Sequence, residues 1–255
     1  MNSYGIVVFS KNSGNLIIKT LSRIGHAIEI GGLEKVHVVV VDDGSEKKIM
    51  RGELLTNLGI KEDELNFDLS IARCENSQGL GNAFKIGCEQ LFDLNNNPFM
   101  LVTQLPANDQ VQAQSIVNLL IYASTTSILS SWRENISTRP VAKRIASSFM
   151  HFWVHSLIFP QVKECTSNYT VPLWLALKYV PQNSRHAFGL WLLLGAYRES
   201  FALQQKPIQL VSDYGRRRRG LDIRKWHRVS DMYYFAINSI QIFTKLRRVY
   251  FRTLK

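Results

Sequence analysis

Cysteine is scarce: Cys74, Cys88 and Cys165 are the only three, and they stand far apart. That spacing offers neither the paired thiols of a zinc site nor an even-numbered disulfide framework, and a reducing, cytoplasmic setting is expected. Long apolar runs are missing too. No stretch approaches the roughly 18 consecutive apolar residues of a membrane span, although 45% of the residues are hydrophobic, enough for the core of one large domain. The opening MNSYGIVVFSKN has no basic n-region, so its apolar part is expected to be a strand and not a secretory signal. Neither an internal repeat nor a low-complexity linker interrupts the chain. Acidic residues are short in one region only. Residues 216–255 carry 12 Lys and Arg against Asp222 and Asp231, a net +10, while the other 215 residues carry 19 basic against 18 acidic groups. A neutral body with a basic tail suits phosphate-bearing partners: nucleic acid, anionic lipid or a phosphorylated substrate. A solvated basic surface is the plainer alternative.

What is present is alternation. YGIVVFS (4–10) is an apolar, β-rich run, and the segment after it places Leu16, Ile17, Leu21, Ile24 and Ile28 near helical spacing before Gly31-Gly32 ends it. KVHVVVVDDGS is a nearly continuous valine run, as expected of a buried parallel strand, broken by an Asp-Asp-Gly turn. A helix over 46–58, a strand in NFDLSIARC, a glycine loop opening a helix in NSQGLGNAFKIGCEQLF, and a strand in FMLVTQL follow. A helix over 111–123, a strand in TSILSS and a helix over 139–158 continue the pattern. This succession predicts an α/β fold with a mostly parallel sheet flanked by helices. From about 160 the rhythm changes: QVKECTSNYTVP is loop-like, 187–203 is helical, KPIQLVSDYG is an edge strand, RRRRG is a loop, and 229–251 is a last amphipathic helix. Met232, Tyr233, Phe235, Ala236, Ile240, Phe243 and Leu246 give that helix a broad apolar face, and its end, KLRRVYFRTLK, mixes basic and aromatic residues. It suits a membrane-interface helix and equally a core-packing helix whose basic end complements its dipole.

Three stretches carry candidate chemistry. VVVVDDGS puts Asp42 and Asp43 at a strand end, and ligands of open α/β sheets bind beyond the carboxyl ends of strands. A carboxylate there can accept a hydrogen bond from a nucleobase N–H, or it can cap the next helix. NSQGLGNA supplies Gly79 and Gly81 before a helix, allowing close backbone approach and offering an anion the helix N-terminus. It lacks the third glycine of a dinucleotide fingerprint and the lysine of a P-loop. VTQLPANDQVQ ends a strand at Asp109, where a metal or a phosphate can sit. His37 lies inside the valine strand as a core or sheet-edge histidine, and His186 is a second titratable candidate. The aromatics at 153, 174, 191, 226, 233 and 234 are expected in the core or at an interface.

The order of the pieces says more than any one of them. A strand with Asn12, then VVVVDDGS, GLGNA, PANDQ, SSWR, AKRIASS and finally KPIQLVSDYGRRRRG resembles the family 2 glycosyltransferases of GT-A fold, most of all the dolichyl- and polyprenyl-phosphate sugar synthases. The resemblance runs from residue 4 to about 240. It implies a GT-A domain over 1–215, with a nucleotide-binding half over 1–125 and an acceptor half over 126–215, followed by the basic loop and helix of 216–255.

It also implies roles. Asp43 would receive the nucleobase, with Asp42 beside it structurally or near the ribose; Phe9 and Asn12 would belong to the first nucleotide loop, and Gly79 and Gly81 to the second. Asp109 matches the second acid of the Asp-x-Asp metal motif for Mg2+ or Mn2+, and Gln110 follows it. Arg133, Arg144, Ser148 and Arg217 match phosphate-binding positions that would grip the donor diphosphate and the acceptor phosphate. The implied reaction is inverting transfer from a UDP- or GDP-linked sugar to a polyprenyl-phosphate-like or membrane-associated glycan acceptor. Leaving-group charge would be met by metal and arginine. A phosphate acceptor is already an anionic nucleophile and needs no dedicated base. The expected setting is peripheral, at the inner face of the cell membrane, with the tail near anionic lipid. A nucleic-acid partner is not expected, since the body is neutral and acids stand at the strand ends. The chain departs from the pattern at three places: Phe9, Lys11 and Ser13 replace Pro, Tyr and Glu of the first loop, Ala107 replaces the first metal acid, and Asp222-Ile223 replaces a Ser-Lys pair.

Overall fold

The computed structural model describes residues 3–59, 61–75, 77, 79–134, 148, 152, 154–155, 161–164, 167–211 and 226–253. Its centre is a seven-stranded sheet: β1 (Tyr4–Ser10), β2 (Val36–Asp43), β3 (Asp68–Cys74), β4 (Leu101–Pro106), β5 (Ser127–Arg133), β6 (Tyr169–Pro172) and β7 (Ala202–Ile208). The order across it is β3-β2-β1-β4-β6-β5-β7. β1 pairs in parallel with β2 and β4, β2 with β3, and β5 with β7. Only β6 runs antiparallel, between β4 and β5. Two reversals cancel, so the carboxyl ends of β1 to β5 and β7 all point to one edge. The expected mostly parallel sheet is present. The strand β6, in a stretch read as loop, is what joins its two sides.

Side chains alternate across the sheet. Ile6, Val8, Val38, Val40 and Leu105 face α1 (Leu16–Gly31), α2 (Arg51–Leu58) and α4 (Ala113–Ile121). Val7, Phe9, Val39, Val41 and Val102 face α3 (Leu80–Asn95), α5 (Leu173–Tyr179), α6 (Phe188–Arg198) and α7 (Trp226–Thr253). Strands covered on both faces lose their polar alternation, which is why they read as continuous valine runs. Two helices start or stop elsewhere than the sequence predicts, and one was not predicted. The helix placed at 46–58 begins at Arg51, because 44–50 wraps around Asp42 instead. The helix placed at 187–203 ends at Arg198 and hands over to β7. LWLALKY forms α5, which the sequence reading left out. The helix placed at 139–158 falls mostly outside the described residues.

The C-terminal helix α7 belongs to the body. Phe235, Asn238, Ser239 and Ile242 are buried, and Trp191 Nε1 donates to Asn238 Oδ1 at 2.7 Å. A second stripe of the same helix, Tyr233, Ile240 and Phe243, is exposed. No helix among the described residues is long and apolar enough to cross a membrane.

Candidate functional site

The alternation of β2 gives its two terminal acids different surroundings. Asp42 faces the α1–α2 side and is fully buried. It accepts N–H bonds from Ser45 at 2.9 Å and Ile49 at 3.4 Å and pairs with Arg73 Nη1 at 2.6 Å, directly across the β2–β3 register. Arg73 also donates to the Ser45 carbonyl. Asp42 therefore builds the turn. Asp43 faces the α3 side, accepts Ser77 Oγ at 2.7 Å, and ties the end of β2 to the loop that opens α3. Cys74 lies beside this pair; burial first, then the charges of Asp43 and Asp42, push its thiol up to about 11. At neutral pH it is a packed thiol and no nucleophile.

Asn12 joins the same end of the sheet. Its φ is +49°, its N–H donates to Ser45 Oγ, and its Oδ1 accepts the Glu46 N–H, both at 2.9 Å. Phe9 turns inward: it is 8% exposed and meets Phe84 and Phe188 edge to face at 6.4 and 6.2 Å. Its side chain faces the core under α3, so what it offers a ligand is support from below.

The glycines before and within α3 are required by what packs on them. Gly79 has φ +90°, open only to glycine at little cost. A Cβ on Gly81 would lie 2.0 Å from Ser184 Oγ and 2.7 Å from the Arg185 backbone nitrogen. The turn over 182–187 therefore presses on the N-terminus of α3. Arg185 in that turn has φ 46° and ψ −126°, a conformation costing of order 1–3 kcal/mol, and its guanidinium stacks 3.7 Å above the ring of Tyr234 on α7. No motif marked Arg185 in the sequence; its geometry is made by packing.

Asp109 is placed by the opposite layer. With φ +54° its side chain turns to α1, where Arg23 Nε meets Oδ1 at 2.7 Å and its own N–H donates to Thr20 Oγ1 at 2.9 Å. It is 3% exposed and forms part of the wall of a cavity of about 510 Å³ with Lys19, Arg23 and His26 of α1 and Asn57 and Leu58 of α2. That cavity shares only Asp109 with the residues singled out in the sequence. Ala107 is buried and its N–H donates to the Phe9 carbonyl, so an acid at 107 would sit in the apolar layer. The Gln110 carbonyl accepts the Val211 N–H at 2.9 Å, which brings the chain that follows β7 back to the β4 loop.

Arg133, at the end of β5, is held by Glu164: its N–H donates to Oε2 at 2.9 Å and Nη2 lies 2.7 Å from Oε1. Ser148 is helical and exposed; Arg144 and Arg217 lie outside the described residues. Asn12, Asp42, Asp43, Gly79 and Gly81 thus come together at the β1–β2–α3 end, Asp109 and Gln110 stand beyond β4, and Arg133 closes β5. His37 sits at the start of β2, with Nδ1 3.1 Å from Asp68 Oδ2, as a sheet-edge histidine.

No family model matches the sequence, and no curated protein matches it. Solved structures do match in shape. Glucosyl-3-phosphoglycerate synthase from Mycobacterium tuberculosis in complex with UDP superposes with a TM-score of 0.63 at 11% identity, over 95% of this chain and 80% of that one. The same enzyme with Mn2+, UDP and glucosyl-3-phosphoglycerate gives 0.58 at 12% identity, over 94% and 78%. Mannosyl-3-phosphoglycerate synthase from Rubrobacter xylanophilus gives 0.60 at 11% identity, over 97% and 74%. The chain has the fold of these synthases, the GT-A fold.

Proposed function

We propose that the protein is a nucleotide-sugar-dependent glycosyltransferase acting on a phosphate-bearing acceptor. The observation that carries the reading is the grouping of Asp43, Ser77, Gly79 and the N-terminus of α3 at the carboxyl edge of a GT-A sheet. Asp43 would read the nucleobase, Asp42 would hold the loop behind it, and Gly79 and Gly81 would bring the backbone up to the ribose and diphosphate. Arg133, Arg144, Ser148 and Arg217 would meet phosphate charge. Arg217 follows the Val211 anchor by six residues, a tether of at most about 20 Å.

A hard cation such as Mg2+ or Mn2+ takes one or two protein carboxylates with water and substrate phosphate oxygens. Asp109 fits that set as a single protein ligand; among the described residues no group of three or more His, Cys, Asp or Glu stands together. When bound, the ion would neutralise charge on the leaving diphosphate. Arg23 already engages Oδ1, so cation and guanidinium compete for that oxygen.

For the acceptor we favour a polyprenyl-phosphate-like lipid, on the cytoplasmic face of a membrane. Tyr233, Ile240 and Phe243 are exposed on the helix that also carries Lys245, Arg247, Arg248 and Arg252. A soluble phosphorylated hydroxy acid is the second reading, favoured by the phosphoglycerate acceptors of the structural neighbours. A thermal-shift panel of UDP, GDP and TDP, with and without Mn2+, tests the donor. One nucleotide should stabilise the protein, and Asp43→Ala should remove the shift; no shift with any of them points to a non-catalytic protein. Labelled sugar appearing in the organic phase with polyprenyl phosphate supports the lipid acceptor, and a product confined to the aqueous phase sinks it. The anomeric configuration of that product, read by NMR, tests inversion.

A further inference from the structure

Helix α1 buries Ile17, Leu21, Ile24 and Ile28 against the sheet and keeps a second, cationic flank. Lys19, Arg23 and His26 recur there at i, i+4 and i+7, the spacing that puts side chains on one helix face. With the last residues of α2 this flank lines the cavity of about 510 Å³. That size falls within the roughly 300–1,000 Å³ of small-molecule sites. Its wall holds these three basic side chains and one carboxylate, that of Asp109. The carboxylate shows little of itself: its side chain is 1% exposed, against 30% for the Arg23 that pairs with it. Arg23 gives Asp109 its Nε, and its two terminal amino groups have no partner among the described residues. Lys19 Nζ has none there either. His26 is loosely held at the surface, with Nδ1 3.8 Å from Glu29 Oε2. The hydroxyl of Ser22 and the amide of Asn57 complete the polar wall, beside apolar surface from Ile18 and Leu58.

We propose that this cavity is a second ligand site, for a small phosphomonoester. Cationic donors gathered in one concavity, with their single carboxylate turned away, call for an anion, and a phosphate monoester offers two charges and three acceptor oxygens. Arg23 and Lys19 would hold the phosphate, Ser22 and Asn57 would meet hydroxyls of the ester, and Ile18 and Leu58 would take its carbon skeleton. The site goes beyond the glycosyltransferase reading and does not rest on it. Asp43 faces the α3 layer, on the other side of the sheet, so a ligand against α1 and α2 is not the donor nucleotide. Arg23 belongs both to the cavity and to the Asp109 pair, which places the ligand to act on the loop after β4 as an effector.

Calorimetric titration of the full chain with inorganic phosphate, glycerol 3-phosphate, 3-phosphoglycerate and glucose 6-phosphate tests this. At least one ester should bind roughly tenfold more tightly than inorganic phosphate. Lys19 and Asn57 are exposed, so Lys19→Glu and Asn57→Ala should melt with the wild type. Lys19→Glu should still lose roughly tenfold or more in affinity for that ester, as expected for a charge-assisted bond, and Lys19→Arg should retain it. Lys48→Glu makes the same change of net charge at an exposed position outside the cavity and should bind as the wild type does. In amide NMR the ester should move the signals of Ser22, Asn57 and Asp109 and leave those of Ser77 and Gly79 in place. Shifts at Ser77 and Gly79 instead would assign the anion to the donor site and overturn the proposal. Equal losses in Lys19→Glu and Lys48→Glu, which mark diffuse attraction, or no ester binding more tightly than phosphate, would overturn it as well. Because UDP, GDP and TDP are absent from this titration, a protein that binds no nucleotide can still pass it.

Discussion

Asp42 and Asp43 are neighbours in sequence with separate duties, because successive strand residues face opposite layers. Asp42→Ala leaves the partly exposed guanidinium of Arg73 unpaired and takes the acceptor from two amides, and it should cost about 2–4 kcal/mol in urea unfolding. Asp43→Ala gives up the Ser77 bond, about 1 kcal/mol, and should fold normally while losing its response to nucleotide. Equal destabilisation by the two would contradict this division. Cys74 makes a pH prediction. Its folded thiol is raised from 9.0 to about 11, so between those values the folded state keeps a proton that the unfolded chain releases. Stability is intact below that window and falls as pH rises through it. Urea midpoints at pH 8 and pH 10 should differ less in Cys74→Ala than in the wild type.

Helix α7 is amphipathic twice. Phe235, Asn238, Ser239 and Ile242 recur at i, i+3, i+4 and i+7 and seat it on α6 and the 182–187 turn, while Tyr233, Ala236, Ile240 and Phe243 recur on an exposed side. The sequence showed one broad apolar face because it counts residues and not contacts; Asn238 is buried only because Trp191 is there to donate to it. Membrane-facing and core-packing readings of this helix need not compete. Phe235→Ala should cost about 3–5 kcal/mol. The pair Ile240→Ser and Phe243→Ser should leave the melting temperature alone and abolish co-sedimentation with phosphatidylglycerol vesicles. Undiminished vesicle binding by that pair would remove the lipid-facing role.

At the scale of the whole molecule, the parallel strands were legible because a strand buried on both faces must be valine-rich, and the carboxyl-edge acids were legible because strand ends are punctuated by turns. Strand β6 was not: TSNYTVP has no alternation, and its neighbours Ser167 and Asn168 are polar residues buried in a network with Gln104 and Ser131. The sequence locates Asp109 just past the end of a strand, where β4 does end, but its direction is set by a left-handed backbone that the sequence does not announce. Arg185 needed Gly79, Gly81 and Tyr234 from distant parts of the chain to acquire its place.

The insertion of β6 between β4 and β5 also governs the order of synthesis. A ribosome that has released residues 1–125 has delivered β1 to β4, yet the outer edge of β4 waits for a partner encoded more than forty residues later, at Tyr169–Pro172. Until then the nascent chain carries an open, apolar strand edge, the kind that pairs with other chains. A fragment ending at 125 should therefore aggregate when expressed alone, and one ending at 211 should stay monomeric longer in sedimentation. A soluble, cooperatively melting 1–125 fragment would show that the first four strands fold before the rest of the sheet exists.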